Sequence, residues 1–301
     1  MLYNDVRMDG ILNINKPEGL TSYGVVSRVR RLSGERRVGH AGTLDPAATG
    51  VLPVCLGKAT RIVEYIMGAP KTYLAGIELG TETDTYDAAG AVVSRKDSSY
   101  VSRQMVKIVL DSFCGEILQT PPMYSAVKHG GRPLYALARA GLTTERKSRP
   151  VTVYRLDLVD WQPPCFTLEV TCGKGTYIRS LAHDLGQALG CGAHVKTLAR
   201  TRYGCFDIKD AVPLSTLEEA FRNGDWQQYV YPVDFPLKDL PAAVIDEAGE
   251  AAMRNGQVLH LGEVCPAEPD DVCRVYSGDG RFLGILRRLT EDAWQPEKVL
   301  G

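Results

Sequence analysis

Apolar and polar residues alternate from Gly10 to Asn15 (GILNIN), the two-residue period of a strand with one buried face. Lys16-Pro17-Glu18-Gly19 then turns the chain, and Thr21 or Ser22 supplies an N-cap for a helix to about Leu32, with Val25, Val26 and Val29 inward. The unbroken apolar run Val51 to Leu56 reads as a buried strand, and Ala59 to Met67 as a short amphipathic helix. Lys71 to Leu79 is a further strand, with Tyr73 near its start, and Val101 to Phe113 a further helix. Strands are expected at Val151–Trp161 and Phe166–Cys172, split by Pro163-Pro164, and at His194–Tyr203. Between them Ile178, Leu181, Ala182, Leu185, Ala188 and Leu189 keep helical spacing, so Gly173 to Gly190 carries a helix with one buried face. Leu214 to Arg222 is another helix, and Val233 to Leu240 a proline-punctuated linker. The last sixty or so residues change character: a short helix, Ala248 to Arg254, then short strands at Gln257–Leu261, Val272–Tyr276 and Phe282–Leu289. Gly278-Asp279-Gly280 is the hairpin turn between the last two. The pattern divides into a larger unit, 1–238, and a small β-rich unit, 239–301.

Charge sharpens that division. Residues 1–238 hold 29 Lys and Arg against 24 Asp and Glu, a net of +5, whereas residues 239–301 hold 6 against 12, a net of −6. The cations cluster in three groups: Arg28, Arg30, Arg31, Arg36 and Arg37; Lys128, Arg132, Arg139, Arg146, Lys147 and Arg149; and Lys196, Arg200 and Arg202. Together they suggest a surface for a polyanion. The eight cysteines are scattered with no CxxC pair, and no two of the five histidines have metal-ligand spacing. Both observations argue against a metal site or a disulfide framework, and each cysteine is expected to be a small buried hydrophobe. No phosphate-cradling GxGxxG or Walker pattern is present. No apolar run reaches membrane-spanning length, and MLYNDVRMDG lacks the basic-then-apolar signal pattern. A cytoplasmic protein without cofactor is expected.

The candidate chemistry lies in Gly39 to Gly50 (GHAGTLDPAATG), a loop rich in Gly and Thr around a single carboxylate, Asp45, with His40 five residues before it. Pro46 drives Asp45 away from helical angles. Asp-Pro turns usually serve only to connect elements. Arg179 adds a second signal: it falls in the first turn of its helix, where a cation opposes the helix dipole, and a carboxylate partner would account for it. Gln119 to Gly141, with its Pro, Gly, Lys, His, Arg and Tyr, is either an ordinary surface hairpin or a mobile basic loop that closes on a polyanion; Tyr135 to Ala140 in it could be a short helix.

Five ordered patches give the chain its resemblance: GILNINKPEGLTS at 10–22, RRVGHAGTLDPAATGVLPVCLGKATR at 36–61, KTYLAGIELGTETDTYDAAG at 71–90, PPMYSAVKHGGRPLYALARAG at 121–141 and GTYIRSLAHDLG at 175–186. With these the chain resembles the bacterial tRNA pseudouridine-55 synthases of the TruB type, from Gly10 to the C-terminus. The resemblance implies an α+β catalytic domain on a mixed, largely antiparallel sheet, followed by a small β-rich PUA-like RNA-binding domain. It implies a cofactor-free isomerase acting on the T-arm stem-loop of tRNA, monomeric and with no obligatory protein partner. By motif position Asp45 would be the nucleophile, Arg179 its charge partner, and Tyr73 the tyrosine that stacks on the flipped uracil and takes part in proton transfer. Tyr177 and Leu198 would wall the pocket, and His40 would fill the space the base vacates. Lys16 and Pro17 would support the loop, with Lys16 and Arg132 counted among the substrate-binding residues. Asp84 and Asp87 would orient loops near the RNA. The LeuAlaArgThr segment at 198–201 departs from the pattern, with Ala199 where a second Arg is common. Two other classes fit part of the sequence: an RNA chaperone that folds tRNA without modifying it, and a synthase that needs a guide RNA and partner proteins. The absence of long basic tails favours a stand-alone enzyme.

Overall fold

The computed structural model describes residues 8–261 and 271–301, without the side chains of Lys128, His129 and Arg139. Cys265, and those two cations of the second basic group, therefore lie outside what is described.

Among the described residues one sheet of eleven strands forms the body of the larger unit. Its main strands are β1 (Gly10–Lys16), β3 (Thr49–Leu56), β4 (Lys71–Leu79), β5 (Gly115–Gln119), β6 (Arg149–Gln162), β7 (Cys165–Cys172) and β8 (Ala193–Tyr203), with short β2 (Val38–His40) on β3. The order runs from Val212–Pro213 through β1, β3, β8, β4, β7 and β6 to β5. β3 and β8 pair in parallel, as do β1 and Val212–Pro213, while the other pairs along this path are antiparallel. The architecture is thus α+β with a mixed, largely antiparallel sheet. β1 and β3 are buried almost throughout because both of their faces are covered: Leu12, Ile14, Leu52 and Val54 pack into one core, and Ile11, Val51 and Cys55 into another.

Helices α1 (Ser22–Ser33), α2 (Val63–Gly68), α3 (Arg103–Asp111), α5 (Ile178–Ala188) and α6 (Leu214–Asn223) accompany the sheet, while α4 (Leu134–Arg139) follows the small hairpin at 128–133. Thr21 caps α1 by accepting from Gly24 N, and Val25, Val26 and Val29 face the core, as their spacing requires. The apolar face of α5 (Ile178, Leu181, Ala182, Leu185) packs into the same core as Leu12, Leu52, Ile77 and Val170. The Ala59–Met67 segment is less regular than expected: a 3-10 stretch, Gly57–Ile62, leads into α2.

A second sheet of five strands, β9 (Ala242–Ile245), β10 (Leu259–His260), β11 (Val272–Ser277), β12 (Phe282–Arg288) and β13 (Ala293–Val299), runs in the order β9-β11-β12-β13-β10 beside α7 (Glu247–Arg254). β9 and β13 lack a clean alternation in the sequence and are found only here. Ile285 and Leu300 of this unit share a core with Ile62, Ile66 and Leu237, and Lys298 pairs with Glu64. The proline-punctuated linker is therefore packed at Leu237. No helix among the described residues is long and apolar enough to cross a membrane.

Candidate active site

The Gly39–Gly50 loop leaves β2 at His40 and re-enters the sheet through β3, and its backbone is clamped along its length. Ser22 Oγ donates to Leu44 O (3.1 Å) and accepts from Leu44 N (2.8 Å). Gly19 N donates to Pro46 O (2.8 Å), and Ala48 N to Asp45 O (3.1 Å). Lys16 is fully buried, and its Nζ donates to Leu20 O (2.6 Å), Pro17 O (2.9 Å) and Pro46 O (3.3 Å). Burial lowers its pKa to about 8, against the pull of Asp45 and Glu18. All three protons of this ammonium have carbonyl acceptors. Lys16 thus supports the loop from beneath, and its burial argues against the direct substrate contact expected for it. Arg200 closes the loop's base, with Nε donating to Val51 O (2.7 Å) and Nη2 to Gly42 O (3.2 Å).

Asp45 emerges from this clamped backbone with 38% of its side chain exposed, while Arg179 is only 4–5% exposed. Arg179 Nε stands 2.9 Å from Asp45 Oδ2, an ion pair whose N–H is not aligned as a hydrogen bond. The carboxylate that the dipole argument asks for is therefore Asp45. The rest of the guanidinium is fixed elsewhere: Nη1 donates to Thr85 O (3.0 Å) and lies 3.6 Å from Asp87 Oδ2, and Nη2 donates to Tyr124 O (2.9 Å). One cation thus faces two carboxylates. Burial raises the Asp45 pKa, Arg179 opposes the rise, and Asp87 adds to it. Asp87 is held in turn by Thr85 Oγ1 (2.6 Å) and Ala89 N (3.1 Å).

Asp45, Asp87, Arg179 and Leu198 line one cleft of about 440 Å³, together with Ala48, Leu74, Gly76 and Val195. This volume suits a small planar ligand with part of its surroundings. Tyr73 sits beside the cleft rather than in its wall: it is 9% exposed, packed into the core, and stands opposite Arg200 across the β8–β4 ladder. Burial raises its pKa, Arg200 lowers it, and the Asp45 charge adds a smaller rise. Tyr177 occupies the N-cap position of α5. Its backbone is gripped by the buried Gln119 amide, which donates to Tyr177 O (3.0 Å) and accepts from Tyr177 N (2.7 Å). His40 is half-buried on β2, its Nδ1 without a hydrogen-bond partner among the described residues, and burial followed by the Arg200 charge lowers its pKa. Arg132 is exposed on a small hairpin formed by Lys128–His129 and Arg132–Pro133 and does not line the cleft.

Some expectations change. The third basic group is not a free cationic surface: Arg200 is 1% exposed, Lys196 pairs with Glu78 (2.8 Å), and Arg202 with Asp207 (2.9 Å). Cys114 and Cys205 are exposed rather than buried. Asp87, read as a loop-orienting residue, faces Arg179 directly. Nothing in the turn-rich stretch 80–90 singles it out from Asp84. For Arg200 a signal existed, since it stands two residues from Leu198 on a strand and so shares a face with it.

Residues 30–178 match the family described as TruB family pseudouridylate synthase (N terminal domain), and residues 179–238 match the tRNA pseudouridylate synthase B C-terminal domain. The chain is 46% identical over 292 residues to the tRNA pseudouridine synthase B of Dehalococcoides mccartyi, covering 97% of this chain and 96% of that protein.

The chain belongs to the TruB family.

Another TruB relative, tRNA pseudouridine synthase B of Haemophilus influenzae, is 39% identical, with 93% of this chain and 90% of that protein covered. Among solved structures, a chain of a Cbf5-Nop10-Gar1 complex superposes with a TM-score of 0.74 at 28% identity, covering 96% of this chain and 84% of that one. A chain of an H/ACA RNP bound to a substrate RNA containing 2'-deoxyuridine also gives a TM-score of 0.74, at 26% identity, covering 97% and 85%. The TruB fold is therefore shared with chains of these two complexes, over nearly the whole of this chain.

Proposed function

We propose that this chain converts the uridine at position 55, in the T-loop of tRNA, to pseudouridine, with Asp45 as the nucleophile. Membership of the TruB family supports the broader statement that it is a tRNA pseudouridine synthase. The observation that carries the residue assignment is the Asp45–Arg179 pair at the wall of the cleft, 2.9 Å apart, on a loop whose backbone is held on both sides. The reaction breaks the N1–C1′ bond, turns the uracil and forms a C5–C1′ bond, with loss of the C5 proton and gain of one at N1. No electrons are transferred to or from the substrate. A carboxylate supplies the nucleophile. Burial disfavours its ionised form and Arg179 opposes that effect, favouring the charged carboxylate where little water competes.

In this reading Tyr73 stacks on the base and moves its proton, and Tyr177 and Leu198 bound the pocket that retains the detached uracil. Extrusion of the target nucleotide costs a few kcal/mol, and His40, kept neutral by its surroundings, fills the vacated space. The exposed Arg31, Arg36, Arg37 and Arg132 hold phosphates. Residues 1–238 form the catalytic domain and 239–301 a PUA-like RNA-binding domain, in a monomer that needs no partner protein.

The test is incubation of the full chain with an unmodified tRNA transcript and with its isolated T-arm stem-loop, followed by mapping of pseudouridine. One product at position 55 in both RNAs is expected, with affinity that falls steeply as salt rises. Product at another position would refute the site assignment. Tight binding without product in either RNA would refute the stand-alone enzyme, and leave a chaperone or a guided assembly.

A further inference from the structure

Arg200 is almost completely buried, yet none of its described partners is a carboxylate. Its Nε donates to Val51 O (2.7 Å) and its Nη2 to Gly42 O (3.2 Å). These carbonyls bracket the loop that carries Asp45. Arg200 also stands directly opposite Tyr73 in the β8–β4 ladder, and its guanidinium charge acts on the Tyr73 hydroxyl. It lies over the ring of Tyr203, 4.8 Å from the centroid, and Lys71 Nζ stands 4.4 Å from the same centroid. Gly42 presses onto that floor: a Cβ there would stand 2.9 Å from Tyr203 Oη. The backbone of β8 is equally close, since Arg200 is in parallel register with Gly50, where a Cβ would meet Arg200 O at 2.2 Å.

A buried guanidinium without a counter-charge is expensive to maintain, and an apolar side chain could fill the same volume. What an apolar side chain could not do is bond the carbonyls of Gly42 and Val51 at once while presenting a charge to the Tyr73 hydroxyl. Lysine could not do so in the same geometry either, because its ammonium lacks the planar fork.

We propose that Arg200 is a positioning residue that fixes the Asp45 loop and the Tyr73 hydroxyl relative to each other through one buried guanidinium. This rests on the reading of Asp45 and Tyr73 as catalytic residues. The guanidinium touches no cleft surface; it acts through the two groups it holds. The same charge helps to keep His40 neutral and lowers the pKa of Tyr73 against the effect of burial.

The experiment compares wild type, Arg200→Lys, Tyr73→Phe and the double variant in the full chain. Single-turnover pseudouridine formation is measured on an unmodified tRNA transcript, with affinity for pseudouridine-containing product tRNA and thermal unfolding measured alongside. Arg200→Lys is expected to lower the single-turnover rate about 100-fold, the scale of a misplacement near 1 Å, with product-tRNA affinity within about threefold. In the Tyr73→Phe background the same substitution is expected to lower it only about tenfold, because one of the groups it positions is already gone. Three results would overturn the proposal: a single variant within about threefold of wild type, equal losses in the two backgrounds, or losses of rate and affinity that both follow the folded fraction. Asp45→Asn is the control for the underlying reading. If it retains wild-type activity, the catalytic assignment fails; if it is inactive and Arg200→Lys is unimpaired, only the positioning role fails.

Discussion

Around Asp45 the cations are buried and most of their partners are backbone carbonyls: Lys16 on three, Arg179 on those of Thr85 and Tyr124, Arg200 on those of Gly42 and Val51. In the C-terminal unit the exposed cations Arg281 and Arg254 have carboxylate partners instead: Arg281 pairs with Asp279 and Glu250, and Arg254 with Glu250. A carbonyl fixes a cation without neutralising it, so the first region keeps a net positive field under its loop. The exposed pairs cancel their own charge in water and are screened by salt. Similar side chains therefore carry different weight: those around the loop hold a reacting group in place and act on its ionisation, whereas Arg254 and Arg281 decorate a surface.

The sharpest way to break this contrast is to remove the cation that faces both carboxylates. Arg179→Met leaves Asp45 and Asp87 side by side without compensation. Single-turnover pseudouridine formation should fall about 1,000-fold, and product-tRNA affinity should change little. Gly50→Ala comes next. Gly50 has φ +100°, and an added Cβ would stand 2.2 Å from the Arg200 carbonyl, so the loop must shift. Calorimetry should show a loss of about 1–3 kcal/mol, and the rate should fall even in the fully folded variant.

Asp184 on α5 probes burial without a compensating cation. Burial raises its pKa from 3.8 to about 6. The folded state then binds the proton more tightly than the unfolded one, so stability falls as pH rises from about 4 to 6. Asp184→Asn should stabilise the protein at pH 7 by about 1 kcal/mol, allowing for partial exposure, and the gain in melting temperature should vanish below about pH 4. The smallest effect is expected in the other region: Arg281→Ala should leave both the melting temperature and the catalytic rate unchanged within error.

Most strands and helices of the larger unit, though not β2 or β5, were legible because burial imposes a clear period: GILNIN alternates, VLPVCL is unbroken, and α5 repeats at helical spacing. β9 and β13 were not, because Ala242–Ile245 is short and Ala293–Val299 interrupts its apolar residues with Gln295, Pro296 and Glu297. Arg179 was legible as an ion-pair partner because its place in the first turn of a helix is unfavourable without one. Asp87 and Gln119 were not, because each owes its role to a partner 92 or 58 residues away in sequence, Arg179 for Asp87 and Tyr177 for Gln119. Composition misled for Arg200: a cation in a basic cluster reads as surface, and irregularities in β8 on either side of it break the alternation that would place it inside.

The most direct test of the account is Asp45→Asn, which keeps the shape of the side chain and removes its negative charge. Single-turnover pseudouridine formation in an unmodified tRNA transcript should become undetectable, while affinity for product tRNA at two salt concentrations stays within about threefold of wild type. Pseudouridine formed by Asp45→Asn at a rate near that of wild type would contradict the account, since the clamped loop and its buried cations would then be holding a residue the reaction does not use.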